Sequence, residues 1–494
     1  MRRITIDPVT RLEGHGRVEI FLDDDGEVAN AYFIVPELRG FERLCVGRPA
    51  EEMPRITNRI CGVCPEAHHI ASVKTLDELF CVEPPPAARM IRELFYSAFF
   101  VLDHATHFFV LGGPDFIVGP DAPPAERTIA GVIRRMDDDL GRAVIDARLR
   151  NNRVIELLGG RSIHPVAGLP GGWSQAVSEE ARQEIVAIAR ANVDFAVACL
   201  GFFEQTVLGN PEYMDMILSE SYTNRSYYLG TVDEAGRPNF YDGRIRVVDP
   251  DGGEVASFAA QRYQDHISEH TEPWTYLKMP FLKNVGWAGL REGEDSGIYV
   301  ASPLSRLNVA SGLATPLAQE HFEKLYESLG SRRAGERYVP VHYRLATHWA
   351  RLVELLYAAE RMLELAADRD LTDPDVHAQG CGMAGEAVGC VEAPRGTLFH
   401  HYWADPQGIV TGVNLIVGTT NNHAAIAMSI TQAARGLITK GKAVGEGLLN
   451  RIEMALRAYD PCLSCATHAL AGKMPLAVSI RDKEGELIER VTRG

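Results

Sequence analysis

Apolar and polar residues alternate over 2–9, 16–22 and 27–35, the two-residue period of half-buried strands, and Asp23-Asp24-Asp25-Gly26 supplies the acids and glycine of a tight hairpin turn. From Ala87 to Leu111 the pattern becomes helical and strongly apolar, as it does from about Ser174 to Val207 and from about Val341 to Ala367. Each run is longer than an ordinary helix, which predicts a bundle-like core. Residues 208–310 are rich in Gly, Pro, Asp and aromatic residues with short strand-like runs, an irregular α+β excursion on that bundle. Gly385–Val417 reads as β, Asn421–Leu437 and Gly445–Ala458 as helices, and Met474-Pro-Leu-Ala-Val-Ser-Ile with Glu486-Leu-Ile-Glu-Arg-Val as a hairpin turning at Lys483-Glu-Gly. The expected fold class is α+β: a long-helix bundle core with small peripheral sheets.

No repeat or low-complexity linker divides the chain, so residues 1–494 are read as one interlocked unit. With 494 residues, 46% of them hydrophobic, it can bury a large core unaided. Sixty-six acidic against 50 basic residues give a net charge of -16, which argues against nucleic acid or an anionic membrane as the main partner. No uninterrupted apolar run reaches the length of a bilayer span, and Met1-Arg-Arg-Ile-Thr-Ile enters strand alternation rather than a signal peptide, so a cytoplasmic setting is expected. Of nine cysteines, Cys45, Cys81, Cys199, Cys381 and Cys390 are expected to be buried thiols.

The other four form two Cys-x-x-Cys pairs near opposite ends: Cys61 and Cys64 in Arg59-Ile-Cys-Gly-Val-Cys, Cys462 and Cys465 in Asp460-Pro-Cys-Leu-Ser-Cys. Each pair can present both sulfurs to one ion from a single turn, and thiolates favour zinc, iron-sulfur clusters and late transition metals. On spacing alone a structural zinc site of four thiolates is an equal reading. Structural zinc, however, usually staples modules too small to hold a core, and this chain is not one.

These motifs, with His68 after the first and His468 after the second, resemble the two signatures of the nickel-iron hydrogenase large subunit. Arg11-Leu-Glu-Gly-His15, Arg39-Gly-Phe-Glu42, Asp103-His104 with His107, Gly159-Gly-Arg with His164-Pro165 and Pro170-Gly-Gly, and Glu392-Ala-Pro-Arg-Gly396 resemble family motifs in family order. The resemblance spans almost the whole chain, and its wording is most similar to the cytoplasmic group, in particular the methyl-viologen-reducing type, with the NAD-coupled type the main competitor. It implies reversible heterolytic cleavage of H2 at a Ni-Fe centre bearing carbon monoxide and cyanide on iron. Cys61 and Cys462 would be terminal on nickel, with Cys64 and Cys465 bridging to iron. Cys462 would take the proton and Glu13 carry it outward. Arg395, flanked by Asp103 and Asp460, would lie over the metals, with Pro394 offering a carbonyl and an apolar wall near a diatomic ligand. His68 would orient a bridging sulfur, whereas His69 and His104 are read as satisfied core histidines. Taken singly, Glu13 is as readily a salt-bridge partner of Arg11, and Asp460 a turn residue before proline.

The resemblance also implies a magnesium-like ion held by Glu42, the Leu415 carbonyl and His468; the bland alternative for Glu42 is a surface position like those of Glu51 and Glu52. It implies an iron-sulfur small subunit near Arg59 and the Gly159–Gly172 region, and further electron carriers of heterodisulfide-reductase-like, ferredoxin-linked or NAD-linked type. Residues 469–494 would be a pro-segment for a maturation endopeptidase, although relatives differ in carrying such a tail. A slow hydrogen sensor, a metal-free respiratory-complex homologue and a structural zinc protein are the competing classes, and four retained cysteines count against the second.

Overall fold

The computed structural model describes residues 2–37, 40–440, 443–467, 476–481 and 487–493. His468 and Arg39 lie outside them, as does the Lys483 turn. The N-terminal pattern forms an antiparallel sheet of Arg2–Ile6, Arg17–Leu22 and Val28–Ile34. Asp23 Oδ1 accepts the N–H groups of Asp25 and Glu27 at 3.0 Å, which closes the predicted turn.

The long helices run over Pro86–Thr106, Glu179–Phe203 and Thr347–Ala367, the first two extended by π-turns at His107–Gly112 and Glu204–Leu208. The third packs on both others. Helices Pro86–Gly112 and Glu179–Leu208 are, against expectation, long and apolar enough to cross a membrane by length and composition. Arg92, Asp103 and His104 interrupt the first in sequence without cancelling its apolar character, and its most apolar stretch is 78% buried within the protein. Three helices escape the periodic reading: Pro65–Leu79, Asp138–Gly159 and Pro316–Ser328. Pro65–Leu79 is buried almost all round, which erases any apolar stripe.

The excursion contains a four-stranded sheet in which Tyr299–Val300 joins Tyr227–Val232 in parallel. Glu386–Ala393, Gly396–Ala404 and Val410–Ile416 form an antiparallel sheet with Gly396–Ala404 central and almost wholly buried. Helix Pro65–Leu79 lies against strand Glu386–Ala393. Gly389 permits that approach, because a Cβ there would come within 2.4 Å of both Ala71 O and Thr75 Oγ1. This contact brings the strand carrying Arg395 to the helix that starts at Cys64. Helices Gly418–Leu437 and Glu446–Arg457 follow, and Leu476–Arg481 pairs with Leu487–Arg493 as the predicted hairpin.

Cys45, Cys199 and Cys390 are buried as expected, but Cys81 and Cys381 are exposed, with Cys381 Sγ donating to Cys81 O at 3.1 Å. Cys81 ends up at the surface because it follows the last turn of the Pro65–Leu79 helix.

Candidate metal centre

Cys61 leaves a 3-10 turn, Asn58–Ile60, that is tied from both sides. Asn58 Nδ2 donates to Pro165 O at 2.8 Å, and His164 Nδ1 donates to Asn58 O at 3.0 Å. Cys64 is the N-cap of helix Pro65–Leu79, whose first residue is a proline preset for that position. On the other side Asp460 adopts a left-handed φ of 54° before Pro461, a bend that turns the chain into Cys462. The Cys462 segment runs parallel to Glu13: Leu463 N donates to Glu13 O at 3.0 Å and Cys462 N to Thr419 Oγ1 at 3.0 Å.

All four sulfurs are buried and lie within 4.8 Å of one another. Cys61–Cys462 and Cys64–Cys465 are each 3.3 Å apart and Cys462–Cys465 2.8 Å. Burial pushes the Cys462 and Cys465 thiols well above their usual range, whereas S–H groups of Cys462, Cys465 and Cys64 directed at Cys61 hold it well below. Such a site binds metal with release of protons. Glu13 Oε2 is 3.0 Å from Cys462 Sγ and accepts Ser464 N–H at 3.0 Å. Arg11, the alternative partner of Glu13, instead binds Asp115 and Leu111 O.

Arg395 donates to Asp103 Oδ2 at 2.9 Å and pairs with Asp460 Oδ2 at 3.0 Å; Arg351 stands 3.3 Å from the same Asp460 oxygen. Burial pushes Asp103 up to about 6. Although burial opposes it, Arg395, His107 and Arg351 hold Asp460 well below the usual carboxylate range. The Pro394 carbonyl, expected near a diatomic ligand, is taken by Arg306 and Arg351 at 3.3 Å each. Two buried guanidiniums need acceptors, and this is one of them. A cavity of about 10 Å³ beside Cys64, Cys462 and Cys465 is walled instead by Ala67, Ala393, Leu398 and Val417, with Arg395, Thr419 and His68 as its polar lining. His68 Nδ1 meets His400 Nε2 at 3.0 Å, and His400 Nδ1 meets Tyr402 OH at 2.6 Å. His69 accepts Gly168 N–H at 3.0 Å, and His104 meets Glu354 at 3.0 Å, as core histidines do.

Beneath the site Arg306 binds Glu354 through two 2.6 Å bonds and Glu392 at 3.1 Å, all three fully buried. Arg306→Met leaves both carboxylates unpaired in the core, and the expected loss is about 3–5 kcal/mol in urea unfolding. The sequence signal for this network is an arginine and a glutamate inside apolar segments, which periodicity reads as faults. Glu66 also escaped it: burial pushes its carboxyl up to about 8 from an ordinary 4.5. The folded chain therefore holds an extra proton between those values, a contribution to stability complete below the lower and lost as pH rises through the upper. Glu66→Gln is expected to gain on the parent by about 1.4 kcal/mol per pH unit across that window, read as melting temperature against pH.

Glu42, in the short helix Phe41–Cys45, accepts Leu415 N–H at 2.9 Å and lies 3.4 Å from Lys278 Nζ, which also bonds Asn414 at 2.9 Å and stands 3.3 Å from Glu269. It is partly buried, unlike the exposed Glu51 and Glu52. Arg59 is exposed beside the Cys61 turn.

Four buried thiols in two turns, a carboxylate on one sulfur and a guanidinium locked by two aspartates suit a soft, redox-active metal centre. A structural zinc site is closed by its four ligands and needs neither. A family model described as nickel-dependent hydrogenase matches residues 39–131, and one described as HoxL-like matches residues 3–38. The chain is 47% identical over 491 residues to an F420-non-reducing hydrogenase iron-sulfur subunit of Archaeoglobus profundus, covering 99% of each. It is 37% identical over 506 residues to the NAD-reducing hydrogenase HoxS subunit beta of Cupriavidus necator, covering 100% of each. The structure matches a crystal structure of an NAD+-reducing NiFe hydrogenase in the H2-reduced state with a TM-score of 0.86 at 35% identity, over 95% of this chain and 100% of that one. A Ni-Fe-Se hydrogenase from D. vulgaris Hildenborough shares the fold with a TM-score of 0.72 at 23% identity, over 94% and 100%. The chain belongs to the nickel-dependent hydrogenase family. It is a hydrogenase catalytic subunit, and the sensor and zinc readings are not favoured.

Proposed function

We propose that this chain activates H2 at a Ni-Fe centre held by Cys61, Cys64, Cys462 and Cys465, with Cys64 and Cys465 shared with an iron that carries carbon monoxide and cyanide. The single observation behind this is the four-cysteine cluster with Glu13 on Cys462. When bound, such a centre supplies the soft metal pair that polarises dihydrogen for heterolytic cleavage. The protein's part is acid-base and electrostatic. Cys462 Sγ accepts the proton, and Glu13 Oε2 at 3.0 Å takes it on. Arg395, held by Asp103 and Asp460, keeps a fixed positive charge beside thiolates and anionic ligands. Apolar Ala67, Ala393, Leu398 and Val417 keep water from a cavity with room for about one water-sized group. His68, its ring fixed through His400, orients the Cys64 sulfur.

A magnesium-like ion at Glu42 and Leu415, completed by His468, is supported by strand geometry: the N–H and C=O of one strand residue point the same way, so the Leu415 carbonyl faces the edge that Glu42 occupies. Lys278 shares that carboxylate, so the ion would be held weakly. Electrons would leave through an iron-sulfur small subunit docked near Arg59, in a soluble multi-subunit complex. The relatives named above point to methyl-viologen-reducing or NAD-linked partners, and residues 469–494 would be a removable tail on a chain folding as one unit.

An infrared spectrum of the anaerobically purified complex tests this reading. Metal-bound carbon monoxide and cyanide bands are expected; their absence from a complex whose large subunit ends at His468 would overturn it.

A further inference from the structure

Glu13 is only half-buried, and its polar contacts are Cys462 Sγ and Ser464 N–H. Ser464 turns its hydroxyl the other way and donates to Glu37 Oε2 at 3.2 Å, and the second oxygen of Glu37 meets His15 Nδ1. Exposure rises along this line, from a buried Cys462 to a Glu37 side chain 20% exposed and a His15 side chain 76% exposed. Gly14 keeps the line open. Its φ is +84°, and a Cβ there would stand 3.4 Å from Glu37 Oε2, 3.1 Å from Ser464 N and 2.8 Å from Leu463 Cβ.

We propose that Ser464, Glu37 and His15 form the relay by which protons pass between Glu13 and solvent. The inference rests on the reading of Glu13 as proton partner of Cys462. A surface Glu-His pair by itself contributes little and is common. Here, however, one oxygen of that carboxylate is spent on a serine between two metal-binding cysteines, and the polar contacts run unbroken to the surface.

In H2 oxidation the Glu13 carboxyl swings from the Ser464 amide to its hydroxyl and gives up its proton as Ser464 hands its own to the Glu37 carboxylate. Glu37 protonates His15, and His15 releases the proton to water. Rotation of the Ser464 hydroxyl resets the line, no charge accumulates, and H2 evolution runs it in reverse. A hydroxyl donates and accepts at once, and carboxyl and imidazole both take and give a proton readily.

The test uses the assembled complex under D2 in H2O, with HD formation measured against para-to-ortho hydrogen conversion, which needs cleavage at the metals but no proton exchange with solvent. Glu37→Gln and Ser464→Ala are expected to lower the ratio of the two rates by about 10²-fold, the scale of a lost acid-base group. Glu37→Asp should recover most of it, and added imidazole should restore the ratio in His15→Ala. Nickel content reports whether each variant is folded. A parental ratio in both Glu37→Gln and His15→Ala would overturn the relay. Loss of para-hydrogen conversion in the unmodified complex would instead overturn the hydrogenase reading on which it stands.

Discussion

Cys462→Ala is expected to abolish hydrogen uptake and to release nickel on desalting, with retention falling by more than the roughly 10–100-fold that outer partners of a metal site carry. Cys462 Sγ is 3.3 Å from Cys61 and 2.8 Å from Cys465, so its loss opens the cluster on two sides and removes the sulfur nearest Glu13. Alanine changes no buried charge pair, so the fold should persist, and near-native circular dichroism with no bound nickel is the expected signature. Nickel held at the parental level would mean that the four thiols are not its ligands.

Glu13→Gln should be nearly as damaging in rate and harmless to the metals. Glutamine can still accept Ser464 N–H, now at 3.0 Å from the glutamate oxygen, but it cannot take a proton from Cys462. Turnover is expected to fall by about 10²–10⁴-fold, the range of general acid-base contributions, with nickel content and infrared bands as in the parent. A normal turnover number in this variant would move the proton path elsewhere. Glu13→Asp, one methylene shorter, should fall between the two.

Legibility in the sequence followed exposure. Strands Arg17–Leu22 and Val28–Ile34 keep one wet face, so their period could be read, whereas helix Pro65–Leu79, which starts at Cys64, is covered on all sides and gave no period. The four cysteines, Glu13, Asp103, Asp460 and Arg395 stood out through motifs and resemblance, and the fold brings them together. Arg351, Glu66, Thr419 and His400 did not, because a lone polar residue in an apolar run carries no sign of which distant group will meet it. His468 stays beyond the described residues, and Pro394 was assigned a carbonyl that Arg306 and Arg351 use.

The sequence by itself determined the donor set: two pairs of thiols with ligand spacing, an acidic chain, and long apolar helices able to bury a charged site. Only the tertiary structure decided the charge partners. Whether Arg11 pairs with Glu13 or Asp115, and which aspartate lies on each side of Arg395, depends on side chains far apart along the chain. Desolvation makes each buried charge take the partner that packing brings within reach, and packing is a property of the whole fold.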